Sequence, residues 1–125
     1  MGFGEAVRTC WRKYGDFDGR AARPEFWWWV VFAALVQFAA AIVLGIAIAL
    51  FQNAGFLLWL SILIFSVVVL AFILPSIAVA VRRLHDRDLS GWWYLLVLVP
   101  FGNLVLLVWY LLPGTAGENR FGGAV

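Results

Sequence analysis

From Phe26 to Val81 the chain runs for 56 residues without a charged side chain. A helix rises about 1.5 Å per residue, so roughly 20 apolar residues cross a hydrocarbon core of about 30 Å. The run therefore holds two crossings. Its only polar, turn-forming break is Gln52-Asn53-Ala54-Gly55, which divides it into predicted helices over 26–51 and 55–81. A third apolar run covers 92–112, and its 21 residues are just enough to cross. Pro100, Gly102 and Asn103 interrupt its middle. Proline removes a backbone donor and kinks a helix, and such a break survives in lipid only when packed against protein or a water cavity. Length favours a crossing by a broken helix over a segment that dips in and returns, because 21 residues leave little for two half-helices.

Upstream, Phe3, Val7, Cys10, Trp11, Tyr14 and Phe17 recur at helical offsets, with Glu5, Arg8, Arg12 and Lys13 on the other faces. That pattern predicts an amphipathic helix lying in the headgroup layer, ended by Gly15. The turn-rich GDFDGR follows, and Pro24 with Glu25 suits the first turn of the next helix. The expected architecture is an all-α membrane protein forming a single domain over 1–125. It comprises a cytoplasmic interfacial amphipathic helix and loop (1–25) and three transmembrane helices (26–51, 55–81 and 92–112, the third broken near Pro100). A cytoplasmic loop (82–91) and a tail (113–125) complete it.

Composition agrees. The chain is 65% hydrophobic and 13% charged, against about 45–50% and 25% in soluble domains. A net charge of +2 is too small to argue for nucleic acid. The distribution of that charge says more. Arg8, Arg12, Lys13, Arg20 and Arg23 precede the first span, Arg82, Arg83 and Arg87 follow the second, and the 52–55 turn has none. Only Arg120 lies in the tail. With three spans, eight basic residues fall on one side and one on the other, and the basic side is the cytoplasm. The first run is too long and starts too far into the chain to be a cleaved signal peptide. The single cysteine, Cys10, has no disulfide partner and no second soft ligand.

The richest polar stretch is RRLHDRDLSGWW, from Arg82 to Trp93. Its first reading is an anchor, with Arg82 and Asp86 four apart and able to pair on a helix, and Ser90 capping the next one. A second reading is a headgroup or partner site built on arginine forks. Catalysis by His85 and Asp86 is the weakest, because adjacent helical residues diverge by about 100° and no nucleophile is placed to complete a triad. Arg20, Arg23 and Glu25 lie on the same predicted side and are expected to lock the N-terminal helix to the bundle by ion pairs with Asp86 or Asp88. Glu118, Asn119 and Arg120 join them on one face if the third run returns. Candidate binding residues are therefore Arg20, Arg23, Glu25, Arg82, Arg83, His85, Asp86, Asn119 and Arg120. Within the first span, Ala33, Gln37, Ala41, Gly45 and Ala49 recur every four residues, and such a stripe lets a neighbouring backbone approach. Packing within the chain is favoured over packing against another copy.

Three pieces act together: KYGDFDGRAARPEFWW before the first span, RRLHDRDLSGWW before the third run and LPGTAGENRFG after it. The set resembles the small bacterial inner-membrane proteins of the domain-of-unknown-function 805, YhaH-like family, over nearly the whole chain. The resemblance implies a bacterial inner-membrane location and supplies no activity. Pro24 stands where the family often has a small polar residue, and Leu89 where it often has a basic one, which weakens any role needing a maximally cationic loop.

The expected function is non-enzymatic: an accessory, scaffold or assembly subunit that binds membrane lipids and another membrane protein or complex, or further copies of itself, with no cofactor, metal or nucleic acid. An oligomeric channel or transporter is the alternative, weakened by the sparse polar set Gln37, Ser61, Ser66, Ser76 and Asn103. A membrane-bound enzyme using His85 and Asp86 is the third.

Overall fold

Two long antiparallel helices follow directly from the uncharged run. The computed structural model describes all 125 residues. Helix α1 spans Phe3–Arg12, α2 Arg23–Phe51, α3 Gly55–Asp86 and α4 Gly102–Leu111, with a 3-10 helix over Gly91–Leu98 between α3 and α4. There is no strand, only an isolated bridge between Asn119 and Gly122. At 29 and 32 residues, α2 and α3 are long and apolar enough to cross a membrane. Their lengths, about 43 and 48 Å, exceed the ~30 Å thickness of a hydrocarbon core. Large side chains such as Leu35, Phe38, Leu50, Phe56 and Trp59 are exposed along them. An apolar surface this continuous requires lipid or protein, not water, against it.

The packed core sits towards the Arg23 end of α2. Cys10, Phe26, Trp29, Phe72, Val79 and Ala80 are buried there together. Helix α1 lies across this end, burying Ala6, Thr9 and Cys10. Trp11 meets Trp29 and Phe72 edge-on at 5.3 Å each, and Phe3 meets Trp28 at 5.6 Å. Pro75 is accommodated inside α3, and beside it Ser76 Oγ accepts a 3.0 Å bond from Trp29 Nε1.

The expected single broken helix over 92–112 does not form. The run over 91–112 is a hairpin whose two ends lie at the same end of α3. Trp93 meets Trp109 at 5.7 Å, and the Arg83 guanidinium reaches the Tyr110 and Leu112 carbonyls near the exit. Phe101 takes a left-handed conformation (φ 64°) at the turn. Gly102 follows it so closely against the descending arm that a Cβ there would stand 1.9 Å from the Leu96 carbonyl oxygen. Twenty-one residues suffice to go in and return because the first arm is not α-helical. A 3-10 helix rises about 2.0 Å per residue, so its eight residues reach about 16 Å, as far as the ten residues of α4 at about 15 Å.

Two further expectations change. The predicted loop over 82–91 is largely helix: Arg82 to Asp86 form the last buried turns of α3. Asp88, at φ 60°, ends it, with Leu89 N–H bonded to Leu84 O and Asp88 N–H to His85 O, the paired closure of a Schellman motif. The small-residue stripe does not pack inside the chain along its length. Ala33 and Gln37 are partly buried, whereas Ala41, Gly45 and Ala49 are exposed, and nothing lies within 4 Å of a Cβ built on Gly45. The face turned to α3 is the adjacent one, with Ala40, Leu44 and Ala47 opposite Ser61, Phe65 and Val68. A spacing of four drifts away from a straight contact ridge on a helix of 3.6 residues per turn.

Candidate functional site

The polar motifs converge where α2 begins, α3 ends and α4 exits. Glu25, in the first turn of α2, sits where a carboxylate complements the helix dipole. It accepts a 2.6 Å bond from Arg82 Nη1. The expected Arg82–Asp86 pair is replaced by Arg83–Asp86, three residues apart, at 2.5 Å. Asp86 is shared: its other oxygen accepts from Arg20 Nε at 2.9 Å. The lock proposed between the N-terminal segment and Asp86 is therefore present through Arg20, and Ala21 N–H adds a 3.0 Å bond to Arg82 O.

The tail closes the cluster. Arg20 donates to the carbonyls of Thr115 and Gly117 at 2.6 Å and of Gly122 at 3.2 Å. Asn119 Nδ2 donates to His85 O at 2.9 Å. Arg120 pairs with Asp88 at 3.0 Å at the surface. Thr115 N–H donates to Asp86 O at 2.7 Å, and a Cβ on Gly114 would fall 1.9 Å from an Asp86 carboxylate oxygen, so only glycine lets the chain pass there. The last carbonyls of a helix need partners, and Arg83 supplies them for α4 while Arg87 Nη1 reaches Pro113 O at 2.7 Å. Arg120 thus joins every other basic residue at the end opposite the 52–54 turn, as the returning hairpin requires.

His85 Nδ1 lies 2.9 Å from Gly19 O. A carbonyl only accepts, so that nitrogen carries the proton. Phe121 stacks on the ring at 3.9 Å and 2°. Six of the nine candidate residues (Arg20, Glu25, Arg82, Arg83, His85 and Asp86) are buried. Arg23 and Arg120 are exposed, and Asn119 is half-buried. Arg82 is fully buried, and its Nε and Nη2 have no partner. Beside it the Cys10 thiol is pushed up to about 11, first by burial and then by Glu25, with Arg82 opposing. No three His, Cys, Asp or Glu side chains gather as a cation cage. Sequence reasoning missed Phe121, Gly114 and the tail carbonyls, since nothing local marks a carbonyl as an arginine ligand.

What the geometry can do is hold: it ties the N-terminal segment, both long helices and the hairpin exit together through one buried network. Residues 14–123 match the family model described as protein of unknown function (DUF805). The chain is 43% identical over 112 residues to the inner membrane protein YhaI of Escherichia coli (strain K12), covering 89% of this chain and 86% of that one. It is 43% identical over 114 residues to the inner membrane protein YhaH of the same strain, covering 89% and 88%. It is also 38% identical over 100 residues to the uncharacterized protein YiiR of that strain, covering 79% of this chain and 60% of that protein. No solved structure matches. With two long apolar helices, relatives named as inner membrane proteins and a family match across most of its length, the chain belongs to the DUF805 family of small bacterial inner-membrane proteins.

Proposed function

We propose that the protein is a non-catalytic inner-membrane scaffold, with α2 and α3 crossing, the 91–112 hairpin dipping into the cytoplasmic leaflet and α1 lying at that interface. Both termini and the ion-pair network face the cytoplasm, and a larger membrane complex or a lipid docks on the assembled unit. The observation that carries this reading is the closed network. Two motifs far apart in sequence spend their charge on one another, through Glu25–Arg82 and Arg20–Asp86–Arg83, and the tail closes over them with its carbonyls on Arg20. Such burial holds elements in one arrangement. The concentration of basic residues at that end supports its cytoplasmic placement. The half-core reach of each hairpin arm supports the re-entrant seat. Proton transfer between His85 and Asp86 would need both free, yet both Asp86 oxygens are held by arginines, and His85 is bonded at Nδ1 and stacked on Phe121, with only its other nitrogen left towards the cleft beside Gly91 and Trp92.

The test is extraction from the inner membrane into native nanodiscs with an affinity tag. A stoichiometric partner or firmly retained phospholipid is expected. Recovery as a lone monomer with neither would overturn the scaffold reading. A compartment reporter fused after Val125 tests the topology separately: a cytoplasmic signal is expected, and a periplasmic one would refute the re-entrant hairpin.

A further inference from the structure

Between α2, α3 and the hairpin runs a groove of about 520 Å³, inside the roughly 300–1,000 Å³ range of small-ligand sites. Of its 15 lining residues 13 are hydrophobic, among them Trp27, Ala33, Ala80, Leu104 and Tyr110. Of the two polar ones, Ser76 is already bonded to Trp29. The other, Asn103, is exposed at the start of α4 beside the hairpin turn, and the walls between the two ends suit an apolar occupant. At its charged end Trp27 Nε1 bonds Tyr110 O at 3.3 Å. One turn earlier on α2, just outside that lining and beside a polar cleft formed with Gly114 and Thr115, stands Arg23, exposed. Its guanidinium makes a single long bond, 3.4 Å to Leu111 O, and no ion pair. The neighbouring Asp86 is already held by Arg20 and Arg83.

From Arg23 to Ala33 the helix advances about 15 Å. That is half of a ~30 Å hydrocarbon core, the depth of one leaflet. A cation at the surface end of an apolar groove one leaflet deep matches an anionic headgroup with its tail below. We infer that this groove seats one acyl chain of an anionic phospholipid whose phosphate is bound by Arg23. The inference rests on the proposed seating of α2 and the hairpin in the bilayer.

The test reconstitutes the full chain in nanodiscs of phosphatidylethanolamine and phosphatidylglycerol in equal amounts, then releases it for native mass spectrometry. Wild type is expected to retain phosphatidylglycerol in preference. Arg23→Gln, at an exposed position, should lower that preference roughly fivefold, the effect of about 1 kcal/mol per basic residue at a membrane surface. Ala33→Phe, which fills the groove, should lower retention of both lipids. Three results would overturn the inference: no lipid on wild type, an unchanged preference in Arg23→Gln, or release of wild type as a lipid-free dimer that Ala33→Phe disrupts, which would make a second copy the occupant. If wild type holds no lipid yet keeps a protein partner in native nanodiscs, the groove assignment falls and the scaffold reading stands.

Discussion

Asp86→Asn removes one negative charge and almost no volume, so it isolates the electrostatics of the network. In the native fold Asp86 accepts from Arg20 Nε at 2.9 Å and from Arg83 Nη1 at 2.5 Å. The side chains of Arg20 and Arg83 are 1% and 0% exposed and that of Asp86 7%, so solvent offers little screening. The amide keeps one acceptor but turns an NH2 group towards arginine donors, leaving two buried cations without a counter-charge. Breaking a buried pair in this way costs about 3–5 kcal/mol. The assay is unfolding by stepwise addition of dodecyl sulfate to mixed micelles, followed by circular dichroism. Trypsin cleavage after Arg120 provides a second readout, because Arg20 also holds the tail carbonyls. Asp88→Asn is the control: its pair with Arg120 is 44% and 62% exposed, and exposed pairs contribute about 0–1 kcal/mol. Asp86→Asn within about 1 kcal/mol of wild type, with tail cleavage unchanged, would refute the claim that these charges are dry and structural.

The Arg82 guanidinium bonds only Glu25, so Glu25→Leu alone should destabilise by about 3–5 kcal/mol, while Glu25→Leu with Arg82→Met should recover most of the loss; the same titration checks both. Gly102→Ala places a methyl group against Leu96 O and should open the hairpin, read as weaker dipolar coupling between spin labels at positions 93 and 109. The buried Cys10 thiol, with its pKa raised to about 11, should resist alkylation at pH 8 in the folded protein and react once dodecyl sulfate unfolds it. Its raised value favours the folded state below the unfolded value near 9.0 and withdraws that support as pH climbs through about 11. Equal alkylation rates in the two states would contradict the burial.

Much of the fold was legible in local pattern. The two long helices, the turn at 52–54 and the helix near the N-terminus each follow from residues close together in the chain. So does the gathering of basic side chains before α2 and at the end of α3. The joining of the first two motifs through Asp86 was also foreseeable, because a dry charge needs a partner. The choice of partner was not: Arg82 took Glu25 and left Asp86 to Arg83 and Arg20.

By itself the sequence determined which segments suit lipid and where they break, because helix rise and bilayer thickness are constants against which an apolar run is simply measured. Tertiary structure decided whether the third run is one helix or a hairpin, which face of α2 meets α3, and that the tail closes over Asp86. Those outcomes turn on close approaches between distant atoms, Gly102 against Leu96 and Gly114 against Asp86. Once the hairpin turns back, the tail carbonyls come within reach of Arg20, and pairing there costs less than leaving a guanidinium buried alone.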